Sequence, residues 1–207
     1  ELPDAVARLN PKRVDCTYPF KDLPGEALAF KLADAVYRSR GCDLSGVYRD
    51  LDLVALGCAA DIVPMVGENR VLVTYGLDQM QRTENLGLRA LLGNLRLLGK
   101  RVGTGQLVFA LAPRINALGR MGSALDAVTM LTTDDPSEAQ RVAQLLEHQN
   151  RMRRQIDEKT FTEALAMVER DVDPERDRAV VLASEAWHAG VIGIVASRIA
   201  EKVHLPA

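Results

Sequence analysis

Between Pro136 and Arg170 the chain carries no glycine and no second proline. Its apolar residues there (Val142, Leu145, Leu146, Met152, Ile156, Phe161, Leu165 and Val168) recur at helical spacing. Asp134-Asp135-Pro136 supplies a capping carboxylate and then a proline at the first helical position, where its missing N–H costs nothing. The pattern predicts one helix of about 35 residues, about 50 Å long at 1.5 Å per residue. A rod of that length does not fit inside a small globule. It either joins two domains or stands out as a coiled-coil arm, so the rest of the chain must be organised around it. Asp173-Pro174 is expected to end it.

The segments before the rod are mostly helical in pattern. Leu28, Leu32, Ala35 and Val36 fall on one face of a helix over 25–38. Glu68 to Met80 and Leu86 to Leu98 read as amphipathic helices, and Ala124 to Leu131 as a short one. Residues 51–60 are nearly all small and apolar, a buried run whose periodicity suits strand or helix equally. Residues 5–10, closed by Asn10-Pro11, and Ala179 to Ala183 are strand candidates. The second strand candidate leads through Trp187-His188-Ala189-Gly190 into a buried-face helix over Val191 to Val203, the opening of an α/β unit. The expected fold class is therefore α/β, with a first part over 1–133, a connecting helix over 134–175 and the start of a second part over 176–207.

At 207 residues and 47% apolar the chain can bury a core; with 4% aromatics that core rests on Leu, Val, Ala and Ile. A net charge of −2 argues against a basic coat for nucleic acid and leaves phosphate recognition to local patches. Cys16, Cys42 and Cys58 show no C-x-x-C spacing, which fits reduced thiols in a cytoplasmic protein. No apolar run approaches the roughly 20 residues of a membrane span, and no signal peptide is visible. The chain starts at Glu1 without Met and stops straight after an apolar helix pattern, which reads as an internal piece of a longer protein.

The chemistry-bearing residues concentrate in two places. Ala112-Pro113-Arg114-Ile115-Asn116-Ala117-Leu118-Gly119-Arg120-Met121-Gly122 sets Arg114, Asn116 and Arg120 among Pro and Gly. That composition suits a loop whose backbone approaches an anion while guanidinium forks grip it; a helix-to-helix turn with solvated arginines is the plainer reading. Asp61 closes the apolar run 51–60, where a carboxylate is either a cap or a group that needs pairing or a metal. Asp52 reads as structural. His188 lies at the start of the last helix, where anions are attracted and where a hydrogen-bonded structural histidine is equally at home. Ser197 and Arg198 fall inside the helix pattern and are expected to pack or form salt bridges. Arg151, Arg153, Arg154 and Lys159 on the rod are interleaved with Glu147, Asp157 and Glu158, the pattern of a solvated face.

Four stretches together resemble the RecJ-type single-strand-specific exonucleases of the DHH phosphoesterase superfamily. Residues 112–122 are similar to the family's A-P-R-I-N-A-x-G-R-x-G, and Trp187-His188-Ala189-Gly190-Val191-Ile192-Gly193-Ile194-Val195-Ala196-Ser197-Arg198 to its W-H-P-G-V-I-G-I-V-A-S-R. Asp52 to Pro64 looks like D-L-V-A-L-G-T-V-A-D-V-V-P. Asn10-Pro11-Lys12-Arg13, Tyr18-Pro19-Phe20 and Ala29-Phe30-Lys31-Leu32-Ala33 are similar to the region after the D-H-H motif. The chain departs from the family at Leu23-Pro24-Gly25-Glu26-Ala27, where the family turn is richer in glycine, and at Cys58, Ala186 and Ala189.

The resemblance implies the C-terminal part of a DHH domain, a long connecting helix and the start of a DHHA1 domain. It implies 5′→3′ hydrolysis of single-stranded DNA by water activated at a two-metal Mn²⁺ or Mg²⁺ site, in recombination and repair in a bacterial cytoplasm. It makes Asp61 a catalytic metal ligand, makes Arg114, Asn116 and Arg120 phosphate-positioning residues, and turns His188 toward the nucleotide end. Only His148, His188 and His204 are present, none of them in a D-H-H or D-x-D cluster, so most ligands are expected outside this piece, which alone is expected to be inactive. A single-strand-binding protein and a RecQ-like helicase are the implied partners, with no membrane. The alternatives are another DHH–DHHA1 phosphoesterase (an oligoribonuclease or cyclic-dinucleotide hydrolase) and a non-catalytic replication scaffold of the same fold.

Overall fold

A computed structural model describes residues 4–173 and 176–207. Its regular elements are all helical: α1 (Gly25–Ser39), α2 (Ser45–Arg49), α3 (Leu51–Ala60), α4 (Gly67–Met80), α5 (Leu86–Asn94), α6 (Thr104–Gln106), a π-helical turn (Leu107–Leu111), α7 (Ala112–Met121), α8 (Ala124–Thr132), α9 (Pro136–Asp171) and α10 (Ala189–Val203). The contacts form two compact units, Glu1–Pro113 with Met130–Gln140 and Arg114–Thr129 with Arg141–Ala207.

In the first unit α3 is the central helix. Seven of its residues are buried, among them Leu51, Val54, Ala55, Leu56 and Cys58. Leu and Ala outnumber its single β-branched residue, which settles the ambiguous run as helix. α4 lies so close that a Cβ on Gly76 would come within 2.2 Å of the Leu51 carbonyl oxygen and 2.5 Å of the Ala55 Cβ. The core around Val54, Cys58 and Val73 is completed by Leu23 and Ala27, with Tyr18, Phe20 and Phe30 packed against it. Buried Asn69 donates from Nδ2 to the Asp22 oxygen at 2.8 Å and the Pro64 oxygen at 3.1 Å, pinning two loops to α4. Asn85 caps α5 through the Leu88 N–H and donates to the Leu131 oxygen at 2.8 Å.

Asp52 is structural, buried at 1% exposure, with Oδ1 accepting from the Leu53 N–H at 2.7 Å and Oδ2 without a hydrogen-bond partner among the described residues. Burial pushes its carboxyl above the ordinary value, against the Leu53 N–H bond that pulls it down. A raised folded-state value gives a contribution fully present below the unfolded value, about 3.9, and lost as pH rises through the folded one. Asp52→Asn is therefore expected to melt a few degrees above the wild type at pH 7 and to converge with it in acid. Thermal unfolding at the two pH values checks this; a less stable variant at pH 7 would contradict it.

In the second unit α10 packs on the C-terminal half of α9. Ala164 and Val168 of α9 meet Val195 and Ile199 of α10 and Val180, and Phe161, Trp187 and Leu205 close the cluster. Trp187 Nε1 donates to Glu163 at 3.0 Å. Arg198 stacks its guanidinium 3.8 Å from the Phe161 ring centroid and bonds Asp157 at 3.3 Å and Glu158 at 3.1 Å, and Ser197 donates to the Gly193 oxygen, the structural roles expected of both.

α9 has the length and start that its pattern predicts: Asp135 Oδ1 accepts from the Ser137 N–H at 2.8 Å and Pro136 opens the helix. It ends at Asp171, and Pro174 of the expected terminator lies outside the described residues. The α/β expectation is not met, because the described residues contain no strand and both strand candidates are irregular. A strand exists only with a ladder partner, and none of the described segments supplies one. Over 179–183 a single backbone bond is made instead, from the Val180 N–H to the Pro206 oxygen at 2.7 Å. α5 also stops at Asn94 rather than Leu98, the chain turning at Arg96 with φ 58°.

Candidate functional site

Asp61 belongs to the first unit and Arg114, Asn116, Arg120 and His188 to the second. Asp61 is the C-cap of α3, its N–H donating to the Gly57 oxygen at 2.9 Å. Ile62 follows with φ 54° and is largely exposed. Helices commonly end on glycine in that left-handed conformation; a side chain there costs about 1–2 kcal/mol and a β-branched one is an outlier. Such strain collects at functional positions. The turn leaves Asp61 exposed rather than buried with the run before it, and its carboxylate makes no hydrogen bond or ion pair among the described residues.

Beside it stands Glu26 of α1, which sequence reasoning passed over. It lies along Gly57, where a Cβ would come within 2.5 Å of the Glu26 Cγ, and its Oε1 is buried without a partner among the described residues. Burial raises its carboxyl, and the nearby charge of Asp61 raises it further. The buried Cys58 thiol is pushed up to about 12 by burial and then by Glu26, which keeps it protonated and inert. The one signal for Glu26 was the departure from the family turn at residues 23–27. Carboxylate oxygens are the donors that Mn²⁺ and Mg²⁺ take, so Asp61, with Glu26 beside it, fits one edge of such a site. Among the described residues no group of three or more His, Cys, Asp or Glu is placed to hold a metal ion, so a whole coordination sphere is not assembled here.

In the second unit the expected Arg/Asn loop is a helix. Pro113 lies in a run that is helical from Thr104 to Met121, and the π-helical turn Leu107–Leu111 precedes it directly. Proline removes one helical donor and its ring crowds the carbonyl four residues back; the wider turn, in which the Ala112 N–H bonds the Leu107 oxygen, makes room. Burial of Leu107, Leu111, Ala117 and Leu118 then outweighs the local cost of Pro113 and Gly119.

α7 presents its polar residues on different sides. Arg114, with 15% of its side chain exposed, is held by Glu147 of α9, Nε to Oε2 at 2.5 Å and Nη2 to Oε1 at 3.4 Å. Asn116 and Arg120 are exposed and, four residues apart, share a face. Arg120 Nη1 donates to the Gly190 oxygen at 3.3 Å. His188 is the N-cap of α10, Nδ1 accepting from the Gly190 N–H at 3.0 Å, which leaves Nε2 as the ring's donor. A Cβ on Gly190 would lie 2.3 Å from the Arg120 carbonyl oxygen and 3.1 Å from His188 Cε1. Arg120 and His188 thus meet across Gly190, while Arg114 turns to Glu147, a partner far away in sequence that no spacing announced. Among the described residues no helix is long and apolar enough to cross a membrane.

No protein-family model matches the chain. Among curated proteins it is similar over its whole length to the single-stranded-DNA-specific exonuclease RecJ of Bacillus subtilis, 40% identical over 210 residues, and over 99% of its length to that of Escherichia coli, 34% identical. The Thermus thermophilus RecJ is 38% identical over 92% of the chain. The chain spans 25%, 38% and 27% of these three relatives. Among solved structures it is similar to an exonuclease RecJ bound to manganese, with TM-score 0.80 and 36% identity over 91% of this chain and 47% of that one. It is also similar to a Thermus thermophilus RecJ in complex with Mg²⁺, with TM-score 0.80 and 35% identity over 91% of this chain and 29% of that one.

Proposed function

We propose that this chain, a RecJ-type sequence, is a segment of an exonuclease that degrades single-stranded DNA from the 5′ end by metal-dependent hydrolysis. The supporting observation is similarity along essentially the whole chain to one segment of RecJ proteins, at 34–40% identity, with metal-bound RecJ structures as neighbours. In this reading residues 1–133 are the C-terminal part of a DHH domain, 134–175 a connecting helix and 176–207 the start of a DHHA1 domain.

Asp61 would hold one edge of a Mn²⁺ or Mg²⁺ pair, with most of the other ligands outside this chain. When bound, the ions supply an activated water and stabilise charge on the phosphodiester transition state. This chain's own residues bind and orient. Arg120 grips a backbone phosphate, and Asn116 on the same face of α7 bonds sugar or phosphate oxygens. Arg114, expected from the resemblance to join them, lies on another side of α7 in an ion pair with Glu147, which supports a role in holding α7 on α9 rather than contact with the phosphate. His188 offers Nε2–H to the nucleotide end. The protein works in the cytoplasm in recombination and repair, with a single-strand-binding protein and a RecQ-like helicase as partners.

The test is substrate length. The full-length protein with Mn²⁺ is expected to shorten long single strands processively and leave duplex DNA intact. Activity confined to fragments of a few nucleotides would assign it to an oligoribonuclease instead, and strand binding with no cleavage would make it a scaffold.

A further inference from the structure

Arg153 differs from the other cations on α9. Arg151 and Arg154 are exposed, and Lys159 makes only a loose pair with Glu163 at 3.9 Å. Arg153 is half-buried; its Nη2 donates to Asn150 at 3.3 Å, and its Nε is buried with no hydrogen-bond partner among the described residues. Its charged neighbours are Asp157, Arg120 and Arg154. Asp157 is already bonded to Arg198, which reaches Glu158 as well. The charge of Arg120 on α7 is thus felt at Arg153 on α9, whose Nε has no hydrogen-bond partner among the described residues.

That arrangement is costly in a protein with no ligand. A buried unpaired donor is rare and calls for a water or an ion, and like charges repel as strongly as unlike ones attract. Burial pulls the Arg153 guanidinium below its usual value, Asp157 offsets part of this, and Arg120 and Arg154 add to it. Both the missing acceptor and the uncompensated charge are supplied by one kind of group, an anion with several acceptor oxygens. Arg120 is exposed, so an anion reaches its guanidinium from solvent.

We infer that Arg153 and Arg120 together form a phosphate-binding subsite for the single strand. The inference rests on the exonuclease reading and adds to it a second cation, from α9, for the phosphate that Arg120 holds.

The test uses the full-length protein in EDTA, where nothing is cleaved, and a fluorescein-labelled oligothymidylate followed by anisotropy between about 50 and about 200 mM salt. Arg153→Met is expected to weaken binding about tenfold and to lower the salt slope by about 0.7, one phosphate contact on a single strand. Its melting temperature is expected to stay level or rise, because an apolar chain of similar length replaces an unpaired cation. Unchanged affinity and slope in Arg153→Met, beside weakened binding in Arg120→Met, would overturn the subsite and leave the exonuclease reading standing. A clear fall in melting temperature would also overturn it, by showing that Arg153 is held by structural partners. No binding by the wild type would remove the exonuclease reading itself.

Discussion

Replacing Asp61 by alanine in the full-length protein is expected to lower Mn²⁺-dependent release of nucleotides from single-stranded DNA by about three orders of magnitude, with the fold intact. A metal-stabilised transition state draws several kcal/mol from its ions, and about 4 kcal/mol corresponds to a thousandfold. The fold is expected to survive because Asp61 is exposed at the end of α3 and its carboxylate bonds to nothing among the described residues. Three readings separate a ligand from a structural residue: rate, melting temperature and Mn²⁺ affinity by titration. Loss of rate and of Mn²⁺ affinity at constant melting temperature is the expected result. A rate within tenfold of the wild type would remove Asp61 from the metal site.

The second large effect is on packing. Gly190→Val is expected to destabilise the second unit by about 3 kcal/mol, the upper range for forcing atoms into filled space. A Cβ at this position would lie 2.3 Å from the Arg120 carbonyl oxygen, a backbone atom that cannot swing aside. The same shift pulls Arg120 off the Gly190 oxygen and disturbs the His188 cap, so single-strand binding is expected to weaken along with stability. Thermal unfolding and oligonucleotide binding of Gly190→Val check both. A melting temperature equal to that of the wild type would mean that α7 and α10 do not approach here as described.

What the sequence revealed depended on how local the deciding physics is. α9 was legible because its start (Asp135, Pro136) and its apolar period are local signals, uninterrupted over 36 residues. α7 was misread because Pro113, Gly119 and Gly122 are local signals for a loop, while what makes the helix is burial of Leu107, Leu111, Ala117 and Leu118 and a π turn that admits the proline. The strands expected at 5–10 and 179–183 needed partners that the described residues do not provide. In the candidate site, the position of His188 at a helix start was readable. The ion pair of Arg114 with Glu147 and the charge that Asp61 places on Glu26 join residues far apart in the chain and left no trace in spacing. Arg153 was hidden for the opposite reason: its neighbourhood on α9 looks like an ordinary solvated charge run, and only its depth distinguishes it from Arg151 and Arg154.

The measurement that bears most directly on the proposed function is a time course on one single-stranded oligonucleotide labelled either at its 5′ or at its 3′ end, with the full-length protein in Mn²⁺ and in EDTA. A labelled mononucleotide appearing at once from the 5′ label, late from the 3′ label and not at all in EDTA is the predicted result. Prompt release from the 3′ label, or equal release in EDTA, would contradict a metal-dependent 5′→3′ exonuclease.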